Sequence, residues 1–66
     1  MPIVEITLIE GRSDEAKARL MQKVAEAIHE AIDAPKATIR IIIREVAPQH
    51  WSVGGIPKGE PRKGSS

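Results

Sequence analysis

Residues 38–46 read Thr-Ile-Arg-Ile-Ile-Ile-Arg-Glu-Val, and the reading of this run decides the fold. Ile39, Ile41 and Ile43 fall on one face of an extended chain, with Arg40, Ile42 and Arg44 on the other. So many β-branched residues in succession argue against a helix. Upstream, Ser13 is a helix N-cap, and Asp14 and Glu15 place negative charge where the helix dipole favours it. From there to about Asp33, Ala16, Leu20, Val24, Ile28 and Ile32 advance by four, and Met21, Ala25, Ala27 and Ala31 widen the stripe. Lys17, Arg19, Gln22, Lys23, Glu26, His29 and Glu30 mostly take the opposite side. Ala34-Pro35 ends the helix, because a residue before proline is pushed out of helical geometry.

Before the helix, residues 2–10 alternate as a strand, with Val4, Ile6 and Leu8 on one face and Ile3, Glu5, Thr7 and Ile9 on the other. Gly11-Arg12 breaks it. Strand, helix, strand is a single βαβ unit: two parallel strands joined by a right-handed crossover. One helix covers one face of that ribbon, so the other face, still carrying isoleucines, calls for a second copy. After Ala47-Pro48, Gly54-Gly55 between short apolar pieces predicts a small C-terminal β-hairpin. The domain is expected over 2–56, and 57–66 has the composition of a flexible tail.

The composition limits what such a unit does alone. The chain has 66 residues and no Cys, so neither disulfides nor thiolate metal sites are available. At this size one core rarely supplies more than ~3–5 kcal/mol without staples, metal or partners. With 41% hydrophobic residues and a single aromatic side chain, Trp51, self-association is the remaining route to enough buried surface. Ten Lys and Arg against nine Asp and Glu leave net +1, too even for a nucleic-acid footprint. A β-ribbon DNA binder using Arg40 and Arg44 is disfavoured on that ground, leaving a purely structural assembly as the other non-enzymatic reading. No apolar run reaches the ~18–20 residues of a membrane span, and no signal peptide is evident. The expectation is a cytoplasmic homo-oligomer without membrane or nucleic-acid partners.

Few residues offer chemistry. The chain opens Met-Pro, and removal of Met1 would leave Pro2 with a free secondary amine. An N-terminal amine titrates near ~8, and an apolar, cationic site lowers that further, toward a usable general base. Taken alone, Met-Pro is also an ordinary start. Arg12 and Arg40 are suited to hold carboxylates bidentately, though a single arginine is more often a surface or ion-paired residue. Arg44 has that ordinary reading. Trp51 serves as an interface anchor or as a wall excluding water from an amine, and the two roles are compatible. His29 and His50 lack ligand or triad partners, so no metal site is expected.

Taken together, Pro2-Ile3, Leu-Ile-Glu-Gly-Arg-Ser-Asp-Glu at 8–15, Leu-Met-Gln-Lys-Val-Ala-Glu-Ala-Ile at 20–28, Asp-Ala-Pro at 33–35, Ile-Arg-Ile-Ile-Ile at 39–43 and His-Trp-Ser-Val-Gly-Gly at 50–55 resemble the 4-oxalocrotonate tautomerase family. The resemblance implies a hexamer, a trimer of dimers, working without a cofactor on a small unsaturated (di)carboxylate such as 2-hydroxymuconate. It implies that Pro2 is the general base, that Arg12 holds a distal carboxylate, and that Arg40 binds the 2-hydroxy or 2-oxo end. Trp51 stands where better-known relatives carry phenylalanine. Relatives that dehalogenate, hydrate or decarboxylate add an arginine near the end of strand one and a carboxylate in the C-terminal segment. Here Ile9 and Ser52-Val53 occupy those neighbourhoods. At about 3.3 Å per extended residue, Pro2 and Arg12 of one chain stand roughly 25–30 Å apart, so a shared site needs two subunits.

Overall fold

The computed structural model describes residues 1–60. Strand β1 (Ile3–Ile9) leads into helix α1 (Asp14–Ile32), a one-turn 3-10 segment (Lys36–Thr38) and strand β2 (Arg40–Val46). A second 3-10 turn (Pro48–His50) then precedes a hairpin of β3 (Ser52–Val53) and β4 (Ile56–Pro57). β1 and β2 pair in parallel, from Ile3 opposite Arg40 to Ile9 opposite Val46. The ladder runs one bond past each end: Arg40 N–H donates to the Pro2 carbonyl and Glu10 N–H to the Val46 carbonyl, both at 3.0 Å. The expected βαβ unit with a C-terminal hairpin is the observed fold.

Each boundary has a local cause. The Ser13 side chain accepts from the Ala16 N–H at 3.1 Å, so α1 begins where its cap stands. It ends one step before the expected Ala34-Pro35 stop, because Asp33 takes a left-handed conformation (φ 59°) and its N–H closes on the His29 carbonyl. The second strand starts at Arg40, later than the expected Thr38. Pro35 sets the chain into a 3-10 turn, and Thr38 is fastened there by its N–H and its hydroxyl, both donating to the Pro35 carbonyl. In the hairpin, Gly54 (φ 62°) and Gly55 (φ 85°) supply the two consecutive left-handed residues of a tight two-residue turn.

Val4, Ile6 and Leu8 on β1 and Ile41 and Ile43 on β2 are half-buried on the helix side of the ribbon, and Ala16, Leu20, Val24 and Ile28 of α1 are half-buried with them. The expected stripe is too long at its far end: Ile32 is 65% exposed, and Ala27 and Ala31 are also exposed. It is wider at its start, where Lys17 joins it, because its stem lies along the ribbon while its ammonium reaches Glu45 at 2.8 Å and Asp14 at 3.2 Å. Lys17, Asp14, Met21, Ile43 and Glu45 together line an open depression of about 340 Å³.

On the opposite face Ile3 (61%) and Ile42 (44%) lie open, interrupted by an ion pair of Arg44 with Glu5 at 2.9 Å. Only Ile39 and Ala47, at the two ends of β2, are buried among the described residues. A core of two side chains is too little for a stable unit, and covering an isoleucine is worth about 1.5–3 kcal/mol each. The bare face is where that missing burial is available.

The hairpin includes the first residues assigned to the tail. Pro57 pairs with Ser52, Lys58 N–H donates to the Trp51 carbonyl at 2.7 Å, and Gly59 N–H to the Pro48 carbonyl at 3.1 Å. A Cβ at Gly59 would stand 2.7 Å from the Pro48 Cβ, so only glycine fits there without displacement. The rest of the expected tail, 61–66, lies outside the described residues.

Candidate active site

The parallel register brings Pro2 and Arg40 to the same end of the ribbon, joined through the Pro2 carbonyl and the Arg40 N–H. Met1, 77% exposed, precedes the half-buried Pro2. The Arg40 side chain folds back over the 3-10 turn: Nη1 donates to the Ala37 carbonyl at 2.9 Å and makes a long contact of 3.5 Å with the Ile39 carbonyl. One edge of the guanidinium is thereby anchored, while its other N–H groups keep their capacity to hold an oxyanion.

Arg12 lies at the other end, in the loop between β1 and α1. Its Nη1 has one long contact, 3.4 Å to the Ile9 carbonyl, and the side chain is exposed. Trp51 follows the 3-10 turn that leaves β2 at this same end. It is half-buried, and its backbone is fixed by its own N–H on the Pro48 carbonyl at 3.2 Å and by Lys58. Within one protomer Pro2 and Arg40 are therefore neighbours across the strand pair, whereas Arg12 is held a strand's length away.

The remaining candidates keep ordinary roles. Arg44 is spent on Glu5. His29 is exposed, its Nδ1 donating to the Ala34 carbonyl at 2.8 Å just past the helix end, and His50 is exposed. Among the described residues no three of His, Cys, Asp and Glu come together as a metal cage, and no helix is long and apolar enough to cross a membrane. The hydrogen bond of Lys17 to Glu45, then that to Asp14, raise its pKa above the ordinary lysine value. Two features escaped the sequence. The coverage of Lys17 had only the Asp14–Lys17 spacing as a signal, and the anchoring carbonyl of Ala37 had none.

The chain matches the family model described as tautomerase enzyme over residues 2–60. A 2-hydroxymuconate tautomerase of Pseudomonas putida is 49% identical over 55 residues, which cover 83% of this chain and 87% of that protein. A protein of Ralstonia nicotianae named as a probable tautomerase is 43% identical over 63 residues, covering 96% of this chain and 90% of its own length. Among solved structures, the heterohexamer 4-oxalocrotonate tautomerase of Chloroflexus aurantiacus J-10-fl superposes with a TM-score of 0.86 at 48% identity, covering 94% of this chain and all of that one. A parallel βαβ unit with a proline-led first strand, matched from residue 2 to residue 60, thus belongs to the tautomerase family, and the chain is an isomerase of the 4-oxalocrotonate tautomerase type.

Proposed function

We propose that this tautomerase moves a proton between oxygen and carbon of a small unsaturated 2-hydroxy or 2-oxo dicarboxylate of the 2-hydroxymuconate kind. Removal of the exposed Met1 frees the Pro2 amine. That amine takes the proton of the enol hydroxyl and delivers it to a carbon of the conjugated chain. Arg40 binds the end carrying the 2-oxygen and stabilises the negative charge that grows there. Arg12 of another copy holds the distal carboxylate, and Trp51 walls the site against water.

The observation that carries this reading is the distribution of the groups along the ribbon. Pro2 is tied to Arg40 at one end, and Arg12 projects from the other, so a substrate a few carbons long spans both only where two copies meet. The same meeting covers Ile3 and Ile42 and supplies the missing core. A hexamer is the assembly we assign, arranged as a trimer of dimers; the Chloroflexus relative is itself described as a heterohexamer. Degradation of aromatic ring-cleavage products in the cytoplasm is the setting proposed with it. Hydration or dehalogenation gains no support, because Ser52 and Val53 form β3 and bring no carboxylate to activate water.

Intact mass spectrometry followed by an ultraviolet assay on 2-hydroxymuconate tests the reading. Protein beginning at Pro2 should turn the substrate over, and blocking its amine should lower kcat by about 10²–10⁴, the range of a general base. Full activity in protein that retains Met1 would refute Pro2 as the base.

A further inference from the structure

The 3-10 turn between α1 and β2 does more than join them. Its middle residue, Ala37, presents the carbonyl that anchors Arg40 Nη1 at 2.9 Å. The direction of that carbonyl depends on how the turn is closed. Thr38 closes it with two bonds to one acceptor: its N–H reaches the Pro35 carbonyl at 2.9 Å and its hydroxyl reaches the same oxygen at 2.7 Å. The Ile39 N–H adds a bond to the Lys36 carbonyl at 3.0 Å. An isolated single turn of this kind is a weak element, since its bond geometry is poor and it has no neighbouring turns to reinforce it. Among the described residues, the Thr38 hydroxyl supplies the one side-chain bond that closes the turn on itself.

We propose that Thr38 is a positioning residue for Arg40: its hydroxyl locks the Lys36–Thr38 turn so that the Ala37 carbonyl holds one edge of the guanidinium and leaves the other edge for the substrate. This rests on the role given to Arg40 in the proposed reaction. Thr38 itself touches no reacting atom. A loosened turn lets the guanidinium sample more orientations, which weakens an interaction needed most when negative charge has developed. The loss therefore falls on kcat more than on KM.

Thr38→Val keeps the branched shape and removes the hydroxyl; Thr38→Ser keeps the hydroxyl. On 2-hydroxymuconate, Thr38→Val should lower kcat about 3- to 10-fold, the size of one neutral hydrogen bond, with KM nearly constant. Thr38→Ser should return kcat to the parental range. In an Arg40→Ala background, Thr38→Val should add nothing. Parental kcat in Thr38→Val, or an equal further loss without Arg40, overturns the inference while leaving the tautomerase reading intact.

A second readout needs no turnover. The Arg40 guanidinium cross-peak in a ¹H–¹⁵N spectrum, assigned by its loss in Arg40→Lys, should shift in Thr38→Val and return in Thr38→Ser. If it does not move in Thr38→Val, Thr38 does not position Arg40, whatever the substrate proves to be.

Discussion

The two ends of the β1–β2 ribbon carry one arginine each, and they hold it differently. At the Pro2 end, Arg40 belongs to a strand, its N–H is in the ladder, and its guanidinium is anchored at 2.9 Å on a closed turn. At the other end, Arg12 sits on a loop after Gly11 and, among the described residues, has a single 3.4 Å contact. A pre-anchored cation loses little freedom when charge develops beside it, so Arg40 is suited to stabilising a transition state. An exposed cation that must be ordered by its ligand is suited to capturing a remote carboxylate. The contrast is the one the proposed mechanism calls for, with chemistry at one end and binding at the other.

The largest test of that contrast removes the anchored arginine. Arg40→Ala should lower kcat by about 10²–10³, as the loss of a preorganised oxyanion donor does; a parental kcat would erase the distinction between the ends. Arg12→Ala should act mainly on KM, raising it by about tenfold, and steady-state kinetics separate the two effects. Mixing sharpens the picture further. If the proposed shared site is right, oligomers reassembled from Arg12→Ala protomers and amine-blocked protomers should regain kcat/KM above the sum of the separate preparations, because some sites then receive an intact Pro2 and an intact Arg12. No gain on mixing would mean that one chain supplies both.

The smallest effect concerns the Lys17 network over Glu45 and Asp14. The folded-state pKa of Lys17 is raised, so its stabilising contribution is fully present below the unfolded value near 10.5 and is lost as pH rises through the higher folded value. The melting temperatures of the parent and Lys17→Met should therefore differ most near neutral pH and converge above about pH 10.5. The difference stays small, as expected of solvent-accessible ion pairs. A gap that widens with alkalinity would contradict the assigned cause.

Much of this was legible in the sequence, and what was not has a common cause. Alternation in residues 3–9 and 40–46 and the four-residue advance from Ala16 to Ile28 reveal the elements, because side-chain period follows backbone geometry. Pro2, Arg12, Arg40 and Trp51 stand out by chemical type, and the family resemblance gives them roles. The turn at Lys36–Thr38 did not show, since three residues are too few for a period and its key acceptor is a backbone carbonyl, which every residue carries. Ile32 and Ala31 continue the apolar stripe by period alone, and period does not show how far the ribbon beneath the helix extends; both are exposed. Lys17 was read by its charge, although most of its length is hydrocarbon.

The carbonyl of Pro2, bound by Arg40 N–H, has a consequence for the nitrogen three atoms before it. That nitrogen belongs to the main chain, with no rotatable side-chain torsions to be set, so its aim is inherited from strand pairing. A slip of β1 by a single residue against β2 would carry it about 3.3 Å along the ribbon and turn it to the opposite side of the sheet. With Pro2 as the proposed base, mutations that loosen strand registration should therefore silence catalysis long before they unfold the protein.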